Sequence, residues 1–442
     1  MRETPASPKA LFPLLMVNFI GTMGFTIVLP FLVPLVTRLG GNALIYGMMG
    51  ATYSSFQLVG APILGRWSDI HGRRKILLLS QLGTLASWVV FLIALYLPER
   101  ALLSVDSAVL GTFVISVPLA VIFLARALDG LTGGNVSVAN AYLADITSEQ
   151  DRKKNFGRMS VAANLGFILG PTLGGLLGST RYGEVPAVIG ALSISAVASV
   201  VIASYLPESK PCSLKQYPEA SNVRKVLGQE QVDCVRLEEA GKTSWRGVFS
   251  MPGVGYLLGL NFLIFLAFNF FYASFPVHAI QGLGWSPTAI GAFFSFVGIT
   301  MVVVQGPVLG KISEKVSDVS LVVFGSVVLA IGFSSFRSSE VAWIYFAGAL
   351  FSIGNGLMWP SFLALLSKHA GRRFQGAVQG FSGSVGSLAS IVGLLVGGII
   401  YGMFGSQVFL ISAALAFTVA VFALRLVGSG GAPEPEPASE PA

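Results

Sequence analysis

Arg126 and Asp129 carry opposite charges inside a stretch, residues 117–143, that is otherwise mostly apolar. Of the 21 Asp and Glu residues, Asp129 is the carboxylate that falls well inside such a stretch, and Arg126 is the matching cation. Residues three apart on a helix can form an ion pair. A charge at the centre of a bilayer costs about 2.5–3.5 kcal/mol, so buried charges commonly mark a proton relay or a substrate pathway. We favour such a role for Arg126; for Asp129, proton exchange and a neutralised structural pair both stay open.

A second cluster of charges lies in the segment GRWSDIHGRRK, between two apolar stretches. Gly65 and Gly72 permit tight backbone turns there, and Asp69 can accept hydrogen bonds from the N-terminus of a neighbouring helix. Arg73 is placed to bridge Asp69 and Asp145. The alternative is that the basic residues only orient the chain and bind lipid phosphates. We prefer this alternative for Arg66, Arg74 and Lys75.

The composition places these charges in a membrane protein. The 442 residues are 53% hydrophobic and only 11% charged, with a mean hydropathy of +0.74, whereas soluble domains carry about 25% charged residues. Long apolar runs recur along the whole chain, which indicates a polytopic helical protein. The two cysteines, Cys212 and Cys234, lie in one polar loop and are too few for a disulfide framework or a metal site.

Twelve stretches are long and apolar enough to cross a membrane, since a helical span needs about 20 residues. Their predicted bounds are 11–36, 44–65, 75–97, 117–143, 156–178, 185–205, 252–277, 287–310, 319–336, 341–367, 376–400 and 406–427. With the N-terminus inside, 23 of the 28 Lys and Arg residues fall in cytoplasmic segments and four in external loops. Positive residues concentrate on the cytoplasmic side of membrane proteins, so both termini are predicted to be cytoplasmic.

The chain divides into two similar halves. The predicted domains are a six-helix bundle at 1–206, a cytoplasmic loop at 207–250, a second bundle at 251–427 and a disordered tail at 428–442. GRWSD after span two has a weaker counterpart, GKISE, after span eight. Internal repeats of this kind are typical of secondary transporters, whose substrate site lies between the repeats near mid-membrane. The first half also has an insertion of about 25 residues, which we place around Pro98–Pro118 on the external side.

Small residues form a stripe in span five. Gly166, Gly170, Gly174 and Gly175 recur at a helical spacing, and Pro171 is expected to kink the helix. Such spacing lets membrane helices approach closely. We expect tight packing against a helix of the other half, which would keep a central cavity from leaking; ordinary close packing is the alternative.

Uncharged polar residues inside the spans are candidates for lining a substrate cavity. They are Asn18, Gln57, Asn164, Asn269, Tyr272, Asn355, Trp359 and Gln379. Such residues often only bridge helices. Span seven also contains FLAFNFFYASF, which provides either an aromatic wall for an amphipathic substrate or a lipid-facing surface.

Four motifs in this order resemble signatures of the major facilitator superfamily. GRWSDIHGRRK resembles its helix 2–3 signature, RALDGLTGG its helix-4 signature and GFILGPTLGG the helix-5 signature of its antiporters, while LPES closes helix 6 as in that family. The resemblance covers essentially the whole chain and is strongest to the twelve-span drug:proton antiporters, including tetracycline-efflux proteins. It implies an all-α membrane protein with twelve transmembrane helices in two pseudo-symmetric six-helix bundles.

The resemblance also implies roles for individual residues. A conformational latch would hold the two halves together in the outward-facing state; its residues would be Gly65, Asp69, Gly72, Arg73 and Asp145. The span-five stripe would act as a gating motif. The sequence departs from the family pattern at helix 1, which carries no acidic residue; Asn18 is its strongest polar group. Ile70 also replaces an Arg of the loop signature.

The function implied is secondary active transport: proton-coupled efflux of a small amphipathic organic compound or drug by alternating access. A facilitator or proton symporter of a polar metabolite, such as a sugar or organic acid, is the rival within transport, and the missing helix-1 acid favours it. A membrane receptor or scaffold that does not transport is a rival of another class. The presence of Arg126, Asp69 and the span-five glycines argues against that rival.

Several functions lack their sequence signatures. We find no GxxxxGK[ST] phosphate loop, no His/Cys cluster and no nucleophile constellation in the sequence. The protein is therefore predicted not to be an enzyme and to need no metal or cofactor, with the proton gradient as its energy source. Its predicted partners are a small-molecule substrate, protons and the lipid bilayer, without nucleic acid. We expect a monomer with several spans in the plasma (inner) membrane.

Overall fold

The computed structural model describes residues 8–107, 109–133, 135–147, 152–209, 223–226, 229–232 and 251–426. At some of these positions it describes the backbone alone, including Arg66, Asp69 and Gln379. Four predictions therefore concern side chains outside the described part: those for Arg66, for Asp69, for Gln379 and for the cysteines, Cys212 and Cys234.

Most of the described chain is helical. The helices are α1 (Pro8–Thr26), α2 (Leu29–Arg38), α3 (Ala43–His71), α4 (Arg73–Ala94), α5 (Val117–Thr132), α6 (Asn135–Ile146), α7 (Arg152–Gly178), α8 (Val185–Tyr205), α9 (Val254–Val277), α10 (Pro287–Val303), α11 (Leu309–Ile312), α12 (Asp318–Ser335), α13 (Val341–Phe404) and α14 (Val408–Leu424). Two antiparallel hairpins accompany them: β1 (Ala101–Ser107) with β2 (Gly111–Ser116), and β3 (Val223–Val226) with β4 (Gln229–Val232).

Helical segments lie at the positions of all twelve predicted spans, although the count of twelve is not reproduced by length and apolarity alone. Nine stretches of the described chain are long and apolar enough to cross a membrane, and one of them, Gly380–Leu424, covers two predicted spans. Predicted span two is the less apolar α3, and predicted span four is shared between α5 and α6. The loop expected at residues 368–375 is helical and continues α13.

Irregular turns occur where proline interrupts the helical hydrogen bonds. Predicted span one is divided between α1 and α2, and Pro30 occupies the first turn of α2, where its missing N–H costs nothing. A wider π-helical turn, His278–Gly282, follows Pro276, and another, Val304–Val308, contains Pro307. Such turns are typical of functional regions of helices.

The insertion around Pro98–Pro118 is the β1–β2 hairpin. It contacts the short connection between α2 and α3: the Val114 amide donates to the Gly40 carbonyl at 2.8 Å, and the Ser116 hydroxyl donates to the Leu39 carbonyl at 3.1 Å. Asn42, which caps α3, donates to the Leu110 carbonyl at 2.9 Å. The hairpin thus holds the first helix–helix connection by hydrogen bonds that the sequence did not predict.

Two compact units are present in the described chain. One combines the described first-half helices with Asn269–Ile299 and Ser390–Val408, and the other contains Thr300–Ala389 and its flanking helical segments. The predicted domain boundaries at residues 206 and 251 stay a prediction. Everything described below for the first-half helices lies within the first unit.

Candidate functional site

Arg126 and Asp129 form an ion pair inside the first unit. Both lie on α5, and Arg126 Nη1 donates to Asp129 Oδ2 at 3.2 Å. The exposed fractions of the two side chains are 8% and 10%. The guanidinium of Arg126 also lies 4.9 Å from the centre of the Tyr53 ring, and Thr84 hydrogen-bonds to Asp129. The pair expected from the spacing is therefore present on α5, buried and contacted by residues of two neighbouring helices, α3 and α4.

Asp129 borders a cavity of about 260 Å³ among the first-half helices. Two predicted cavity residues, Asn18 on α1 and Gln57 on α3, lie in the same wall. The cavity is also lined by residues for which the sequence analysis proposed no role: Tyr53, Gln81, Thr84, Trp88 and Ser195. Gln81 is a polar residue inside predicted span three, so the reasoning that selected Asn18 and Gln57 could also have found it.

Two further predicted cavity residues, Asn269 and Tyr272, make contacts of their own and are not among the described lining residues of this cavity. Asn269 Nδ2 donates to Ser390 Oγ at 2.9 Å, and the Tyr272 carbonyl accepts from the Tyr46 hydroxyl at 3.5 Å. Asn164 is on α7.

In the second unit, Asn355 and Trp359 share α13. Asn355 contacts the sulfur of Met301 at 3.6 Å. The ring of Trp359 packs edge-on against Phe265 and stacks on Phe362, with ring centres 5.3 and 6.0 Å apart. Part of the Phe-rich segment of span seven therefore packs within the protein, and whether it contacts substrate stays a prediction.

At the predicted cytoplasmic end, Arg73 joins two helices. Its Nε donates to Asp145 Oδ2 at 3.0 Å and its Nη1 donates to Ser68 Oγ at 2.7 Å. The side chains of Arg73 and Asp145 are 12% and 10% exposed. The guanidinium thus links α3, α4 and α6, while its role as a latch stays a prediction.

The two glycines of this segment differ from each other. Gly72 has a φ of 96° and separates α3 from α4, so a tight turn forms there. The turn expected at Gly65 is wrong, because Gly65 lies inside α3 and its carbonyl accepts from the Ser68 hydroxyl at 2.6 Å. The helix continues six residues beyond Gly65, to His71.

Glu208, in the LPES segment, has a role that the sequence analysis missed. Its carboxylate accepts from the Arg73 amide at 2.7 Å and from the Arg74 amide at 3.3 Å. It therefore caps the N-terminus of α4, where a negative charge is favourable. Ser209 adds a bond from its hydroxyl to Asp145 Oδ2 at 3.1 Å. LPES thus fastens the end of α8 to the residues predicted to form the latch.

The span-five stripe divides between two neighbours. Gly166 and Gly170 face α1, and Gly174 faces Ile27, the residue that follows α1. A Cβ at Gly166 would lie 2.5 Å from the Phe19 carbonyl oxygen, and one at Gly174 would collide with the Ile27 carbonyl. These three pack within the first half, not against the other half as expected. Gly175 does face the second half, where a Cβ would lie 2.7 Å from the Pro287 carbonyl on α10.

Pro171 and Thr172 extend this second contact. A Cβ at Gly291 would collide with the Pro171 carbonyl, and Thr172 hydrogen-bonds to Ser295. Close backbone approach permits such interhelical bonds in membranes. The contact between α7 and α10 thus has the tightness expected of a gating motif, although gating itself stays a prediction.

Replacing Gly174 by Ala is expected to lower the free energy of unfolding by about 1–3 kcal/mol, because the added methyl group overpacks the contact between α7 and the backbone of Ile27. Gly402, in α13, has open space around its Cα, so Gly402→Ala is the matched control and is expected to leave stability unchanged or slightly higher. Thermal unfolding of the purified variants in detergent measures both. Equal melting temperatures for the two variants would contradict the close packing.

Comparisons with known proteins cover almost the whole chain. The sequence model of the Major Facilitator Superfamily matches residues 14–393 and, again, residues 257–442. The tetracycline resistance protein, class C, of Escherichia coli is 27% identical over 359 residues, which are 80% of each chain. Multidrug resistance protein 2 of Bacillus subtilis (strain 168) is 26% identical over 412 residues, 91% of each chain.

Solved structures of other proteins also match this chain over almost its whole length. The human organic anion transporter MFSD10 (TETRAN) superposes with a TM-score of 0.66 at 21% identity, over 95% of this chain and 100% of the other. A D-xylose–proton symporter gives a TM-score of 0.69 at 16% identity, over 93% and 97% of the two chains. At these identities the structural likeness shows the fold alone.

Proposed function

We infer the function of this protein from its family: the chain belongs to the major facilitator superfamily, and it is a multi-pass membrane transporter and not an enzyme. Relatives that span 80–91% of this chain are named as tetracycline and multidrug resistance proteins. Within the family we propose that this protein exports a small amphipathic organic compound in exchange for protons, by alternating access.

One observation carries the proton-coupled part of the proposal: the carboxylate of Asp129 is buried, borders a cavity and is paired with a permanent cation. A carboxylate in hydrocarbon is costly unless it is used or neutralised. Arg126 neutralises it at 3.2 Å in the state described. Proton binding to Asp129 would release Arg126 from the pair, and proton release would restore the pair. Such a change in pairing is a local electrostatic event that can bias a two-state transporter.

The proposed roles of the other residues, and the proposed location of the protein, are those that membership of the family implies. One end of the first-half helices would be held together, while the other end opens, by the side chains of Ser68, Arg73, Asp145 and Glu208. The α7–α10 contact at Gly175 would close a leak path. We further propose that the protein lies in the plasma membrane with cytoplasmic termini, acts as a monomer, and uses the proton gradient without a cofactor.

Expression in a bacterium that lacks its own efflux pumps tests the export proposal. Cells with the wild-type protein are expected to tolerate higher concentrations of at least one amphipathic drug in a panel that includes tetracyclines. Cells with Arg126→Ala, present in the membrane at the same level, should lose this tolerance, whereas cells with the exposed control Lys315→Ala should keep it. Equal sensitivity of wild-type and empty-vector cells to the whole panel would contradict drug export.

A further inference from the structure

We propose that the cavity bordered by Asp129 is a binding site for a primary ammonium group. The ligand is a small alkylammonium ion or the alkylammonium end of a larger molecule. The proposal concerns binding alone, so it does not depend on the direction of transport or on its coupling to protons.

The orientation of three amide side chains is the first argument. The amide nitrogens of Asn18, Gln57 and Gln81 donate to the backbone carbonyls of Met159, Gly133 and Ser195, at 2.9, 3.3 and 3.4 Å respectively. A backbone carbonyl only accepts hydrogen bonds, so each contact fixes the nitrogen on that side of the amide. All three residues line the cavity, and the oxygen of each amide is its remaining acceptor.

Gln81 provides the second argument. It is 1% exposed, and its Oε1 has no hydrogen-bond partner among the described protein atoms. A buried acceptor without a donor costs about 1–3 kcal/mol. A ligand that donates a hydrogen bond to this oxygen recovers that cost, whereas a ligand that only accepts does not.

Charge is the third argument. The carboxylate of Asp129 borders the cavity, whereas Arg126 is not among its described lining residues. The member of the ion pair that lies next to the cavity is therefore the negative one. The aromatic residues Phe25 and Trp88 also line it, and aromatic faces attract cations by about 0.5–2 kcal/mol.

The size and chemistry of the cavity restrict further the chemical class of ligand that it can bind. Its volume of about 260 Å³ is below the roughly 300–1,000 Å³ of sites for drug-sized ligands. The described residues contain no group of three or more His, Cys, Asp or Glu side chains that would hold a metal ion. A primary ammonium group combines a positive charge with three N–H donors, which matches the acceptors and the carboxylate together.

Calorimetric titration of the full-length wild-type protein in lipid nanodiscs, at constant ionic strength, tests the proposal with defined probes. We expect n-propylammonium to bind at least about tenfold more tightly than tetramethylammonium, which has a charge but no N–H donor. It should also bind more tightly than n-propanol, which has a donor but no charge. Equal affinity for n-propylammonium and either of the other probes, or no binding at all, would overturn the proposal.

A variant series locates the site. Gln81→Leu removes the amide oxygen at similar volume and is expected to weaken n-propylammonium binding about tenfold, while Gln407→Leu, an exposed matched control, leaves it unchanged. Unchanged affinity in folded Gln81→Leu protein would contradict the assignment; if that variant does not fold, the wild-type probe series still decides.

The two sources of the ammonium group are distinguished by 1-adamantylammonium. Binding of this bulky amine together with n-propylammonium would indicate that the cavity accepts the end of a larger molecule. Binding of n-propylammonium alone would indicate free small amines. Since no transport is measured, failure of these titrations leaves the export proposal standing, and failure of export leaves the site testable.

Discussion

Asp129→Asn is expected to abolish drug accumulation against a concentration gradient while leaving energy-independent drug exchange in place. The amide has nearly the shape of the carboxylate but cannot take up and release a proton. Inside-out membrane vesicles that are acidified by respiration and contain the wild-type protein should therefore accumulate the drug to which that protein gives tolerance in the panel. With Asp129→Asn they should accumulate only as much as vesicles without the protein.

A neutral double variant controls for the charge left behind. Removing one partner of a buried ion pair costs about 3–5 kcal/mol, so Asp129→Asn alone also leaves Arg126 without its carboxylate. Arg126→Gln combined with Asp129→Asn restores neutrality. The double variant should show exchange of labelled drug across vesicles without a gradient, and no uphill accumulation. Wild-type accumulation by Asp129→Asn would instead identify the pair as structural.

Arg73→Ala is expected to slow transport by about 10- to 100-fold, because it removes a partly buried ion pair and a hydrogen bond from one side chain. The guanidinium bonds to Asp145 at 3.0 Å and to the Ser68 hydroxyl at 2.7 Å. Arg73→Lys should be intermediate, since a single ammonium cannot reproduce the forked geometry of the guanidinium. Initial rates of drug uptake into inside-out vesicles measure the effect.

A double variant that swaps the two charges distinguishes the effect of losing the ion pair from the effect of losing a surface cation. Arg73→Asp combined with Asp145→Arg keeps opposite charges at the same two positions and should recover part of the activity that either single variant loses. The exposed control, Lys315→Ala, should transport at the wild-type rate. Additive losses in the double variant would show that the two residues do not act through their mutual contact.

The fold could be predicted from the sequence because the bilayer imposes a strong pattern. Long apolar runs and the distribution of Lys and Arg predict the helices and their orientation without any knowledge of packing. The loop around residues 368–375 was nevertheless missed as helix, since its three basic residues interrupt an apolar pattern but not the helical hydrogen bonds. The β1–β2 hairpin was recognised only as an insertion, because short exposed strands carry little hydrophobic periodicity.

The candidate site was predictable in part, to the extent that its residues are rare inside a membrane. Arg126 and Asp129 stand out by charge alone, and their pairing follows from helix geometry. Glu208 does not stand out, because an acidic residue in a loop is common and its capping of α4 depends on where α8 ends. The span-five stripe was assigned to the wrong neighbour at three of its glycines, since spacing along one helix does not specify the partner helix.

The sign of a pH change tests the central claim, proton-coupled antiport, most directly. Proteoliposomes of the full chain would enclose a pH-sensitive dye, and the drug identified by the tolerance panel would be added outside in the absence of any gradient, with protein-free liposomes subtracted. Antiport predicts that drug entry drives protons out and the lumen becomes alkaline, whichever way the protein is inserted, and that Asp129→Asn abolishes the change. Acidification of the lumen would indicate symport, and drug entry with no pH change a facilitator; either result would contradict the account.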